Sequence, residues 1–170
     1  MVLYINILIL NPDEAMEKQA GRFSFFAKSM VDHDTLTGVI AEVIRHKAEA
    51  EMQQKGLDVD MRVRESHSLY CVLQLNVKTP PANVFALFAP CCETENAAIM
   101  LVEKGLAAAF PITLKSELKK EGIDADVVIV RDTDKQEQYE VKVLDLIYPE
   151  ASHAHHEHDA GSSTEQYTTS

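Results

Sequence analysis

The sharpest pattern in the chain lies at 57–64, where Leu57, Val59, Met61 and Val63 alternate with Asp58, Asp60, Arg62 and Arg64. A period of two over eight residues predicts a strand with one dry and one wet face. Glu65, Ser66, His67 and Ser68 turn the chain back. The segment 69–78 then repeats the alternation with Cys71, Leu73, Leu75 and Val77 on its inner side, so the pair predicts a hairpin. The run 2–10 is nearly continuous in apolar residues and rich in β-branched ones. That composition suits a central strand covered on both faces.

Helical spacing appears next. Asn11, Pro12, Asp13 and Glu14 form a helix start, with a capping residue, a proline in the first turn and acids at the positive end of the dipole. Met16, Ala20, Phe23, Ala27 and Met30 then recur as a core-facing stripe. Asp32 to Thr35 offer caps for a second helix. It sets Leu36, Val39, Ile40, Val43 and Ile44 on one face and Glu42, Arg45, Lys47 and Glu49 on the other, and Gly56 stops it.

After Thr79, Pro80 and Pro81, the segment 84–89 predicts a short strand, and 94–109 predicts a mostly apolar, alanine-rich helix. Pro111 is expected to break that helix and start another that runs to Gly122. The segments 126–131 and 138–148 predict a second hairpin, joined by the polar stretch 132–137.

One similarity is internal. Gly56-Leu-Asp-Val-Asp60 and Gly122-Ile-Asp-Ala-Asp126 share a pattern, and each follows a charged helix end. Duplication and two independent solutions of one helix-to-strand turn both account for it. The element order makes the expected fold α+β: a ferredoxin-like βαββαβ arrangement with an antiparallel sheet, an extra C-terminal strand and helices on one face. A single domain is expected over 1–150, followed by a flexible, acidic, His-containing tail over 151–170.

Charge narrows the classes of partner. The net charge is −11, and every Lys and Arg precedes residue 151. Such a field repels phosphate backbones, so nucleic-acid binding is not expected. The run 2–10 is too short to span a bilayer and lacks a basic flank, so neither a membrane partner nor a leader is expected and the reading is cytoplasmic. Cys71, Cys91 and Cys92 make an odd count with two adjacent members, which fits a reducing compartment rather than a disulfide scaffold.

Candidate chemistry is sparse. Cys91 and Cys92 precede a predicted helix, whose dipole favours a thiolate. The run 88–95 looks slightly like the peroxidatic segment of peroxiredoxins. That motif requires a threonine three positions before the cysteine, where Phe88 and Ala89 stand, so the resemblance is rejected and the thiols are read as structural. His153, His155, His156 and His158, interleaved with Glu157 and Asp159, form the one ligand cluster and can bind Zn²⁺ or Ni²⁺. The pairs Asp58/Asp60 and Asp124/Asp126 read as solvated strand edges. His33, His46 and His67 lie in cap, helix-surface and turn contexts. No phosphate loop, zinc-finger spacing or dinucleotide fingerprint is present.

The expectation is therefore a non-catalytic binding or assembly protein with no resident cofactor, a homo-oligomer or a subunit of a larger complex whose partner is a protein or a second copy. The rival readings are a metal-handling protein working through the tail and a small enzyme whose site is assembled from distant residues.

Overall fold

The computed structural model describes residues 1–22 and 32–149, with no side-chain description for 19–22. Contacts divide the chain into two units, Met1–Gln136 and Glu137–Ser170. The histidines of 151–170 and the stripe residues Phe23, Ala27 and Met30 lie outside the described residues.

The order is β1 (Val2–Ile9), α1 (Pro12–Arg22), α2 (His33–Gln54), β2 (Val59–Ser66), β3 (Tyr70–Val77), α3 (Pro81–Phe88), α4 (Glu95–Lys120), β4 (Ala125–Val130) and α5 (Thr133–Ile147). The fold is α+β. Its four strands form one sheet in the order β2-β3-β1-β4, and every neighbouring pair is antiparallel. The apolar run 2–10 is indeed a central strand, flanked on both sides. β2 and β3 form the expected hairpin, with a register shift between Val63 and Glu65.

One face of the sheet is dry. Leu3, Ile5, Ile7 and Ile9 of β1 join Met61, Leu73, Leu75 and Val127 in the core, beneath Leu36, Ile40 and Ile44 of α2 and Val102, Leu114 and Leu118 of α4. The other face is built differently. Asn6 is buried there and bonds Gln136 in both directions: its Nδ2 donates to Oε1 at 2.8 Å, and Gln136 Nε2 donates to Oδ1 at 2.7 Å. The Tyr70 hydroxyl donates to the same Oδ1 at 2.5 Å. Because Gln136 belongs to the first turn of α5, helical residues meet both faces of the sheet. The expectation of helices on one face is corrected accordingly.

Three further expectations fail, each for a local reason. The predicted strand 138–148, with its hairpin, is the helix α5. Asp132 caps it, its Oδ1 accepting from the N–H groups of Asp134 and Lys135. The alternating Tyr139, Val141 and Val143 resemble a strand face, yet Val141 is 59% exposed and Val143 is 5% exposed. Residues two apart point in different directions only on a helix. The predicted strand 84–89 is α3, because Pro81 occupies the first helical position, where its missing N–H costs nothing. Finally, Pro111 does not break α4, which runs unbroken over 26 residues. Thr113, two positions on, turns its hydroxyl back onto the Ala109 carbonyl at 3.1 Å.

Both repeated glycine turns are helix stops of one type. Gly56 and Gly122 have φ of 83° and 79°, a region that only glycine enters freely. At the first, Gly56 N–H bonds Gln53 O and Leu57 N–H bonds Met52 O; at the second, Gly122 N–H bonds Lys119 O and Ile123 N–H bonds Leu118 O. This is the Schellman pattern, and the accompanying apolar contact partners (Leu57 with Met52, Ile123 with Leu118) are all buried. The second stop leads into β4 and then α5, not into a hairpin.

The correspondence continues into the strands. Lys78 N–H bonds Asp58 O and Leu10 N–H bonds Asp124 O, both at 2.8 Å. Asp58 N–H bonds the Thr79 hydroxyl, and Asp124 N–H bonds Asn11 Oδ1. Each half thus receives its bonds from the residues that follow the other half's leading strand. The offset that carries Leu10 onto Lys78 also carries Ile5 onto Leu73, and these two are register partners in the β1–β3 ladder. An internal two-fold relation therefore passes through that pair.

Candidate binding groove

The sequence-nominated residues are not brought together. Cys71 is buried in the core, where desolvation pushes its thiol up to about 12, so it is inert as a nucleophile at neutral pH. Cys91 is exposed and Cys92 is half-buried, in the turn between α3 and α4. His33 Nε2 lies 3.0 Å from Asp13, His67 Nε2 lies 3.4 Å from Glu65, and His46 Nε2 lies 2.9 Å from Arg45 on α2. Asp60 sits between Arg62 and Lys78, and its carboxyl is held below the usual range chiefly by its hydrogen bond to Arg62. Asp126 pairs with Lys115 at 2.5 Å. Among the described residues, no group of three or more His, Cys, Asp or Glu side chains could hold a metal ion.

What the structure builds is an apolar groove of about 870 Å³ between α2 and α4. Strand directions make the two helices antiparallel. α2 packs over β2 and β3, and α4 packs over β4 and against α3. Each helix lines the groove with two adjacent rows of residues four apart, a buried row at the floor (Leu36, Ile40 and Ile44 on α2; Val102, Leu114 and Leu118 on α4) and an exposed groove row at the wall, because residues at this spacing lie nearly in line. On α2 the groove row is Thr35, Val39, Val43, Lys47, Glu51 and Lys55. On α4 it is Leu101, Gly105, Ala109, Thr113, Glu117 and Glu121.

The register that carries Gly56 onto Gly122 carries the first row onto the second, member by member. Val39 corresponds to Gly105 and Val43 to Ala109. Where α2 presents two β-branched side chains, α4 presents a hydrogen and a methyl, and the missing volume is part of why a groove remains. A Cβ added at Gly105 would meet nothing within 4 Å. Each row is uncharged through its first half and carries its charge in the C-terminal half, at Lys47, Glu51 and Lys55 on one wall and at Glu117 and Glu121 on the other. Glu117 pairs with Lys120, which holds its carboxyl below the usual range, with a further contribution from Lys47 across the groove.

Sequence reasoning placed Val39 and Val43 in the core stripe with Leu36, Ile40 and Ile44. The structure divides that stripe: the latter three are buried at the floor of the groove, whereas Val39 and Val43 stand at its wall, 36% and 45% exposed. On α4, Leu101 is 44% exposed and Ile112 is 71% exposed. α4 is the one helix among the described residues that is long and apolar enough to cross a membrane by length and composition, a test that the core helix of a soluble protein also passes. It buries only Ala98, Val102, Leu114 and Leu118. Buried side-chain nitrogen and oxygen atoms among the described residues all have partners, so no unpaired polar atom points into the groove.

Comparison with protein-family models, with curated proteins and with solved structures returns no match.

Proposed function

We propose that this chain is a non-catalytic binding or assembly protein whose working surface is the α2/α4 groove and whose partner is a protein. The observation that carries the reading is the exposed apolar part of the two groove rows, at Val39 and Val43 on one wall and Leu101 and Ala109 on the other. Contiguous exposed apolar surface of this kind marks association sites. The titration shifts support it from the other side. Apart from Cys71 in the core, they belong to helix caps and surface ion pairs, not to a convergent polar cluster.

The fold we infer is ferredoxin-like. The strand order, the antiparallel pairing and the internal two-fold support it, with α5 as an addition to the six-element unit. The reading keeps the protein in the cytoplasm with no nucleic-acid or membrane partner. Its support is the negative net charge and the row of α4 held against the sheet.

The test is a fluorescent apolar dye titrated into dilute protein, followed by self-association measured by light scattering. Val43→Asp and Leu101→Asp place charges on the two walls at exposed positions, so the fold is expected to survive. Both changes should reduce dye binding and association together. The reading is wrong if neither property responds to either substitution.

A further inference from the structure

Resting on that reading, we infer that the occupant of the groove is a second copy of this chain, seated face to face through α2 and α4. Three observations select it. The first is the shape of the surface. The groove lies between two rows that correspond in backbone register but differ in side chain, with bulk at Val39 and Val43 on one and an open wall at Gly105 and Ala109 on the other. A closed homodimer requires a self-complementary patch, and a second copy can set the bulk of one row against the open wall of the other.

The second is size. α2 has 22 residues and α4 has 26. At a rise of 1.5 Å per residue and a width of about 20 Å for two helices, they present roughly 700 Å². That approaches the area of about 800 Å² that each partner contributes to a stable interface.

The third is Gly105. A glycine inside a helix destabilises it by roughly 0.5–1 kcal/mol relative to alanine. Among the described residues nothing crowds its position and its φ is not positive, so neither sterics nor backbone conformation requires glycine there. Close approach of another backbone would. A helix of the second copy, crossing at Gly105 and Ala109, meets a wall with almost no side chain in the way.

A small polar ligand fits less well, since no unpaired buried polar group is present to orient it.

The experiment is sedimentation equilibrium of the full chain from low micromolar to submillimolar concentration, with Val43→Asp and Gly105→Leu alongside and circular dichroism to establish folding. The expected result is a dimer whose dissociation constant rises roughly a hundredfold or more in each variant, because a symmetric interface contains each change twice. Val43→Asp adds charge and Gly105→Leu adds bulk with better helix propensity, so a loss in both cannot come from misfolding alone.

A dimer indifferent to both variants overturns the inference, because the contact then lies elsewhere. A monomer that binds the apolar dye through Val43 and Leu101 overturns it too, but leaves the groove as a binding surface. A monomer that binds no dye until Phe23 is changed to aspartate overturns both readings, because residues of the same chain then fill the groove. A long-chain lipid retained in a native mass spectrum would likewise replace the second copy as occupant.

Discussion

Asp32 opens α2 by accepting from the N–H of Thr35, and Thr94 opens α4 by accepting from the N–H of Ala97. Gly56 and Gly122 close the same two helices with the same pair of backbone bonds. Between these identical ends the helices diverge. α2 buries seven of its 22 residues, whereas α4 buries four of 26 and carries Gly105 and Pro111 in its interior. Ends and middles answer to different physics. A helix end is satisfied locally, by one side chain and a few backbone groups. A helix middle is shaped by whatever lies against it, and among the described residues the outer middle of α4 stands exposed at Gly105 and Ala109.

The comparison breaks most forcefully on the leading strands. The offset between halves carries Asn6 of β1 onto Gln74 of β3. Asn6 is fully buried and holds both Tyr70 and Gln136, whereas Gln74 is only half-buried. Replacing Asn6 with valine removes the bonds that the Tyr70 hydroxyl and the Gln136 amide make to it, which should cost about 2–4 kcal/mol in urea unfolding. Gln74→Val should stay within about 0.5 kcal/mol. Adding Gln136→Leu to Asn6→Val should recover part of the loss, because removing both partners is milder than removing one. Equal losses at Asn6 and Gln74 would mean that the polar pair contributes nothing specific.

How much of this was legible in the sequence follows the same division between ends and middles. The alternation at 57–64, the cap at Asp32 and the stop at Gly56 are local signals, and each corresponds to a structural element, whereas Asn11 precedes α1 but gives its Oδ1 to the N–H of Asp124. The repeat of Gly56 at Gly122 was also visible, although the hairpin expected after it was not formed. Segment 138–148 misled because Tyr139, Val141 and Val143 satisfy a period of two while Asp132 upstream caps a helix. Segment 84–89 misled because Pro81 was read as an interruption, when it occupies the first position of a helix. The groove was not legible at all. Val39 and Ile40 are neighbours in one apolar stripe, and only the placement of α2 over β2 and β3 decides that one enters the core and the other does not. The histidines of the tail were the most conspicuous candidates in the sequence, and they lie outside the described residues.

The two stops offer a sharper comparison at smaller cost. Alanine at Gly56 or Gly122 must adopt a positive φ, at a cost of about 1–2 kcal/mol. A Cβ at Gly56 would also approach Leu87 Cδ2 at 3.3 Å, and one at Gly122 would collide with the Lys18 side chain. Lysine can swing into solvent and Leu87 can shift by tenths of an ångström, so the two losses should agree within about 0.5 kcal/mol. A much larger loss at Gly122, relieved by Lys18→Ala, would show that Lys18 is held in place. The symmetry of the stops would then be only a symmetry of backbone.

A smaller effect of opposite sign is expected in the middle of α4. Gly105→Ala has open space for its methyl group and a helical backbone, so it should stabilise the monomer by about 0.5–1 kcal/mol, measured at low concentration. The same change at Gly56 destabilises, because that glycine lies just past the end of α2 at a positive φ. If Gly105→Ala destabilises even the monomer, something within the chain already occupies that space.

The smallest effect separates the two helix starts. The Asp32 carboxyl is held below its ordinary value of 3.8, first by the Thr35 hydroxyl and then by the Thr35 N–H, with a lesser contribution from neighbouring His33. A carboxyl lowered on folding contributes stability that is fully present above its unfolded value. That contribution is lost as pH falls through the folded one. The Thr94 hydroxyl does not titrate. Acidification below the ordinary aspartate range should therefore release the first turn of α2 while leaving that of α4 in place. Amide exchange read by NMR would show Thr35 losing protection at a pH where Ala97 retains it. Asp32→Asn, which caps without titrating, should remove the difference. If both turns loosen together in the wild type and in Asp32→Asn, the two starts are governed by the stability of the whole fold, and the local likeness between them has no separate energetic meaning.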